Sequence, residues 1–469
     1  MKTRLALLSC VIAVSGYAQS PGTFTATADM ITPRSWHTAT LLPDGRVLIA
    51  GGFVNGIMFS PTDSAELYDP STGTFAATGS MTIARYDQTA TLLPNGRVLI
   101  AGGGDATGQL ALSAELYDPT TGTFTPTGSM AAGHWRATLL NNSQVLMALP
   151  PDSTAELYDP MAGTFTATGG YADTTTLWLA ETATMLAGGK TLIAGDSFAE
   201  LYDPATGRFN PTGAMIYGYA AVGRSATLLM NGKVLFAGGE LDRDFDGGEP
   251  WPPYYPYSEL YDPTAGNFAA TANMTDARWE HTATLLPDGS VLIAGGGPTA
   301  YQSAELYDPA RGTFSSLGNM TAPRFGHTAT LLKDGKVLIA GGPQSSAELY
   351  TPSVLAASPV LLSLSGDGRG QGAIWRPATG QIASSANPAT AGDVLSMYTN
   401  SLFEGGVIPP QVAIGGKLAE ILYFGDAPGY PGYFQVNFRV PNGVAPGPAV
   451  PVRLTYLDRP SNAVTMGVQ

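Results

Sequence analysis

The pentapeptide Glu-Leu-Tyr-Asp-Pro recurs around Tyr68, Tyr117, Tyr158, Tyr202, Tyr261 and Tyr307, and a seventh copy, Glu-Leu-Tyr-Thr-Pro, surrounds Tyr350. The tyrosines fall 41 to 59 residues apart. A period of this length restricts the chain to an array of one supersecondary unit, stacked or closed on itself. Within a unit the signals are those of strands. The stretch from His37 to Leu42 is followed by Asp44-Gly45, and its counterparts by Asn95-Gly96, Asn231-Gly232, Asp288-Gly289 and Asp334-Gly335. Such pairs accept positive φ and make tight hairpins. The return segment Val47-Leu48-Ile49-Ala50 is apolar throughout, which predicts a strand buried on both faces. Gly51-Gly52 then lets neighbouring backbones approach closely. A third strand ends at Tyr68-Asp69-Pro70, and a fourth follows the turn Ser71-Thr72-Gly73 as Thr74-Phe75-Ala76-Ala77. Four antiparallel strands per unit describe a propeller blade. Units three and four depart from the pattern, reading Ala148-Leu149-Pro150 and Gly195-Asp196 where the double glycine belongs.

The order R-x-x-H, strand, D-G, V-L-I-A-G-G, E-L-Y-D-P and T-G-T-F resembles the kelch repeat in its bacterial form, over residues 21–353 and seven times in register. The resemblance implies an all-β chain built on a seven-bladed kelch β-propeller. The chain has an orphan fourth strand at Pro21-Gly22-Thr23-Phe24, and unit seven stops after Tyr350 without one. The N-terminal strand is therefore expected to complete unit seven and remove exposed sheet edges. After Pro352 the marker stops, and short apolar alternations broken by Gly and Pro suggest a small immunoglobulin-like β-sandwich over 354–469. Segments 365–373, 387–389, 428–437 and 461–465 resemble a C-terminal domain of exported proteins from Solibacter-type acidobacteria, whose function is not established. The expected division is a signal peptide at 1–18, a propeller at 19–353 and the sandwich at 354–469.

Charge and cysteine usage narrow the function classes. The formal net charge is −14, with 23 Lys and Arg against 37 Asp and Glu, and no basic patch is visible. Nucleic acid is a poor partner for such a chain, since phosphate binding draws its affinity from cations. Lys2 and Arg4, the apolar run from Leu5 and the small residues before Gln19 read as an export signal. That run is too short for a permanent membrane anchor, so no transmembrane anchor is expected after its removal. Cys10 is the sole cysteine. A chain cut after Ala18 has none left for disulfides, zinc thiolates or nucleophilic catalysis.

Three groups of residues could carry chemistry. His37, His281 and His327 share one repeat position, occupied elsewhere by Gln88, Trp135, Glu181 and Arg224. Blade spacing sets them too far apart for metal bonds of about 2.0–2.1 Å, so a structural role is expected; His134 stands out of register. Before the first strand, Arg34, Arg85, Arg278 and Arg324 accompany Trp36, Tyr86, Trp279 and Phe325. Such an arc could hold a sugar or carboxylate, or the arginines could tie adjacent blades together. The enlarged loop of unit five places Asp242, Asp244, Asp246 and Gly247 in the D-x-D-x-D-G order of a calcium loop, with Pro253 at the twelfth position and Glu249 as a substitute ligand. Calcium is the one metal these carboxylates suggest, and no cofactor is certain. Trp251, Tyr254, Tyr255 and Tyr257 follow as an aromatic cluster. The kelch resemblance also brings in galactose-oxidase-like copper radical enzymes. Their crosslinked cysteine and a tail histidine are missing here, and that activity is set aside. The leading expectation is an exported, non-catalytic module binding a protein or glycan. The alternatives are an extracellular carbohydrate-active enzyme using carboxylates on the propeller face, and a structural cell-surface protein.

Overall fold

The computed structural model describes residues 22–54, 60–148, 154–171, 180–195, 198–217, 221–241, 254–298, 301–353, 355, 358–402, 408–428, 430 and 432–469. The described residues are all-β, arranged as four-stranded antiparallel sheets with short accessory pairs. Seven of these sheets fall between Thr23 and Thr351, one per repeat. In unit one the strands run Thr38–Leu41, Val47–Ala50, Ala65–Asp69 and Thr74–Ala77, each paired with the next. The second strand is buried at every position in all units, as its unbroken apolar sequence requires. The N-terminal strand Thr23–Ala26 pairs with Ala347–Thr351, setting Phe24 opposite Tyr350.

The first strands of the units touch in cyclic order, and Thr38–Leu41 of unit one meets both Thr89–Leu92 of unit two and Thr328–Leu331 of unit seven. Seven apolar clusters sit between successive sheets; the one joining units seven and one combines Leu338 and Ala340 with Val47, Ile49 and Tyr68. The repeated pentapeptide explains why the sheets dock. Its tyrosine is buried in each unit, and in units one to six the hydroxyl meets a threonine of the preceding unit at 2.8–3.1 Å, as in Tyr158 with Thr127. Its aspartate caps the following turn: Asp69 accepts from the Ser71 amide at 2.8 Å. The double glycine is needed sterically. A Cβ on Gly295, at φ 64°, would lie 2.7 Å from the Arg324 carbonyl and 2.9 Å from the His327 ring.

Residues 361–468 have their own core around Leu395, Val436, Phe438, Val452 and Val464. It lies between two four-stranded sheets; the long strands Gly447–Tyr456 and Arg459–Val468 belong to one of them. The turn joining those strands holds Leu457 and Asp458 at φ 51° and 57°. Leu457 packs against both this core and the cluster between units six and seven, so the hairpin tip inserts at one end of the ring. Between the tip and the inner strands lies a cavity of about 1680 Å³, lined by residues such as Thr40, Thr91, Thr284 and Asp458.

Candidate active site on the ring axis

The other end of the axis is built by the residue that precedes each repeat's histidine position. Trp36, Asp87 and Glu280 adopt φ of 50°, 49° and 53°, and Gly223 and Gly326 share the left-handed region at 72° and 57°. This conformation turns each carbonyl toward the next unit. Glu280 N–H donates to Gly223 O at 3.2 Å, Gly326 N–H to Glu280 O at 3.4 Å, Trp36 N–H to Gly326 O at 2.8 Å, and Asp87 N–H to Trp36 O at 2.9 Å. A collar of main-chain bonds thus crosses units five, six, seven, one and two. Bulky residues in this region each cost of order 1–3 kcal/mol, strain that persists only where surroundings over-determine it.

Side chains from non-adjacent units meet inside the collar. The Trp36 indole N–H donates to Glu280 Oε2 at 2.9 Å, passing over Gly326, whose added Cβ would stand 3.1 Å from the ring. Arg136 of unit three pairs with Asp87 at 3.6 Å. The Trp36 indole of unit one, Asp87 of unit two, Arg136 of unit three and Glu280 of unit six thus act on one another across the axis. Burial, reinforced by the charge of Asp87, raises the Glu280 carboxyl to about 7, against the pull of Arg136 and the Trp36 hydrogen bond. Asp87 keeps 41% of its side-chain surface open to the axial space, yet the enclosing protein raises it too, with Arg136 opposing. Around this pair runs an aromatic wall. Tyr301–Phe325, Phe325–Trp36, Trp36–Phe53 and Phe53–Tyr86 have ring centroids 5.5, 5.8, 5.6 and 4.1 Å apart, and Tyr254 stacks on Trp279 at 6.3 Å.

The other sequence candidates divide sharply. Arg34, Arg85, Arg278 and Arg324 are at most 1% exposed and face no solvent. Each donates to the first carbonyl of its own double glycine and pairs with the pentapeptide glutamate, as Arg324 with Gly341 O and Glu348, both at 2.8 Å. The arginines therefore close loops within a unit, while their aromatic neighbours Tyr86, Trp279 and Phe325 are half-buried at the mouth. In unit three His134 takes the arginine's place against Glu156 at 3.0 Å, and in unit five Arg224 reaches Glu259 at 3.5 Å. His37, His281 and His327 each engage a hydroxyl of the preceding unit (Thr328, Ser225 and Thr282) at 2.9–3.1 Å. Burial holds His281 and His327 down at about 3 and His37 well below its ordinary value, so all three are neutral. Tyr255 stacks on Tyr257 at 5.3 Å. Asp242, Asp244, Asp246, Glu249 and Trp251 lie outside the described residues. Glu280 and Asp87 escaped notice in the single-unit pattern. The signal lay in the repeat column itself, where glycine alternates with Trp, Asp and Glu.

No protein-family model matches the chain. Galactose oxidase from Gibberella zeae is 37% identical over 98 residues, 20% of this chain and 14% of that protein, so the chain spans a small part of the curated relative it matches. A solved fungal alcohol oxidase of the AA5 family, in complex with copper, superposes with a TM-score of 0.61 at 17% identity, covering 96% of this chain and 99% of that one. These findings correct the expectations above. The relatives are fungal oxidases, not bacterial kelch or Solibacter-type proteins, and they point to catalysis, not to a non-catalytic protein- or glycan-binding module. The activity set aside on cysteine grounds is the one the relatives carry. The metal the solved neighbour brings is copper, which displaces both calcium and the expectation of no certain cofactor. The described residues do not fit copper, however. None of their His, Cys, Asp and Glu side chains gather in threes, the three repeat histidines spend Nε2 on hydroxyls, and Cys10 lies outside the described residues.

Proposed function

We propose that this chain is an extracellular carbohydrate-active enzyme whose reaction takes place at the axial mouth, with Glu280 transferring a proton to or from the substrate. The observation that carries the reading is the Glu280 carboxyl, fixed by the Trp36 indole at 2.9 Å and raised to about 7. A group titrating near neutrality is matched to general acid–base work. The aromatic wall supplies flat apolar faces for sugar C–H groups, and Tyr86, Trp279, Phe325, Trp36 and Tyr254 are its substrate-facing members. Burial, with the charge of Asp87 adding to it, keeps Glu280 part-protonated at neutral pH, and Arg136 and the Trp36 hydrogen bond oppose that effect.

In this reading the seven sheets are blades of a propeller closed by the N-terminal strand, and 354–469 is an immunoglobulin-like sandwich sealing the opposite end. Residues 1–18 direct export; no helix among the described residues is long and apolar enough to cross a membrane. A second reading, oxidation of a carbohydrate alcohol, is favoured by the 98-residue match to galactose oxidase. There Glu280 would take the hydroxyl proton and dioxygen would be the two-electron acceptor, leaving as hydrogen peroxide while the alcohol becomes a carbonyl; no electron-transfer step is assigned to the described residues.

The test is a panel of glycosides and free sugars, followed in parallel for new reducing ends and for peroxide. Reducing ends mark hydrolysis and peroxide marks oxidation. In either case Glu280→Gln should lower kcat by about 10²–10⁴-fold and remove the limb near pH 7. Turnover by Glu280→Gln with an unchanged pH profile would overturn the assignment, as would an inactive parent protein.

A further inference from the structure

A second site is carried by a different observation, at the junction between the ring and the tail. Arg453 lies on Gly447–Tyr456, half-buried, where it lines both the axial cavity and a separate recess of about 570 Å³. The recess is walled by Pro446, Pro448, Val450, Pro451 and Ala463, with the Asn95-Gly96 turn of unit two opposite. The guanidinium rests against that turn, 3.4 Å from the position a Gly96 Cβ would take. Its Nε is buried without a hydrogen-bond partner, and no carboxylate among the described residues stands within ion-pair distance. Other buried arginines, such as Arg278 and Arg324, pair with a glutamate. A second cation interacts with it, while Asp44 acts on that cation from the other side. Lys333 donates to Pro43 O at 2.6 Å, and its pKa is lowered by burial and by Arg453.

A guanidinium whose Nε is buried and which has no carboxylate partner among the described residues is left for an anion to complete, and its planar fork suits carboxylate oxygens. The walls specify the remainder of the ligand. The exposed side chains of Pro446, Pro448, Pro451 and Ala463 offer no hydrogen bonds and Asn95 is the one other polar side chain at the rim, so the body of the ligand is mainly apolar. We propose that this recess binds a small organic carboxylate, its charge on Arg453 and its apolar body against the proline-rich wall. The site is separate from the axial mouth and does not depend on the reaction assigned there.

The probe is benzoate, added to the full chain at constant ionic strength, with sulfate as the parallel arm and thermal unfolding as the readout. Benzoate should raise the melting temperature saturably, by about 2–4 °C, and sulfate should not. Arg453→Gln should abolish the benzoate shift while melting no lower than the parent without ligand, since it removes an unpaired charge. Arg453→Lys keeps the charge without the fork and should weaken the shift, which guards against a Gln variant that fails to fold. A benzoate shift retained in both variants, an equal shift from sulfate, or no shift in the parent would each overturn the proposal.

Discussion

At the scale of residues, one ion pair is used over and over. Arg278 and Glu305 are both essentially unexposed and stand 2.8 Å apart. Glu305→Ala would strand a buried guanidinium, and a loss of about 3–5 kcal/mol is expected in urea unfolding. The buried histidines give a pH dependence whose sign follows from their lowered values. The unfolded chain binds protons as pH falls below about 6.5, while folded His281 and His327 resist protonation until about 3. Stability present above pH 6.5 is therefore lost progressively as pH falls toward 3. His281→Gln should flatten that slope in melts taken across this range; glutamine already serves at the equivalent Gln88, donating to Ala50 O at 2.7 Å. Glu280 acts in the opposite sense, because its raised value makes the protonated form the better folded one. Its contribution fades as pH rises from about 4.5 toward 7. The sequence made the arginines conspicuous by spacing, but spacing cannot say whether a side chain turns inward or outward. The glutamates that hold them inward were visible too, as members of the pentapeptide. Glu280 was hidden because its meaning arises only when units one, two, three and six meet on the axis.

At the scale of elements, the left-handed collar is what aims the mouth. Gly326 is doubly constrained, by its φ of 57° and by the Trp36 ring lying over it. Gly326→Ala should displace the indole from Glu280 and lower kcat at least tenfold, while circular dichroism stays that of the parent. Rescue of activity in that variant by a smaller ring, Trp36→Phe, would contradict the role given to the indole N–H. The strand Thr23–Ala26 makes a comparable test for closure. A chain lacking residues 22–28 would bare the edge of Ala347–Thr351, and it should aggregate on warming at concentrations where the full chain stays monodisperse, as light scattering would show. Hairpins and buried second strands were legible locally, because Asp-Gly and Asn-Gly pairs and uninterrupted apolar runs act over a few residues. The short accessory pair Arg34–Ser35 with Phe53–Val54 was not, since two-residue strands carry no periodicity of their own.

At the scale of the whole molecule, the seven sheets share seven clusters, so each sheet borrows half its core from a neighbour on either side. Leu48→Ala in unit one and Leu292→Ala in unit six truncate distant clusters and should each cost about 2–5 kcal/mol. Both should lower the same calorimetric transition, whereas independently melting units would split it. The repeat period made the array legible from the chain alone. The relation between the tail and the ring was not, since Leu457, Asp458 and Arg453 belong to no repeat and acquire their surroundings only from partners hundreds of residues away. The pairing of Thr23 with Thr351 has a consequence in time. Thr23–Ala26 precedes the other propeller strands in the chain yet pairs after them: until residue 351 is available, it has no partner in unit seven and the ring has two open ends. Every shorter length is an unclosed arc with bare edges, so the axial mouth comes into being only once residue 351 has been made, with the tail still to follow.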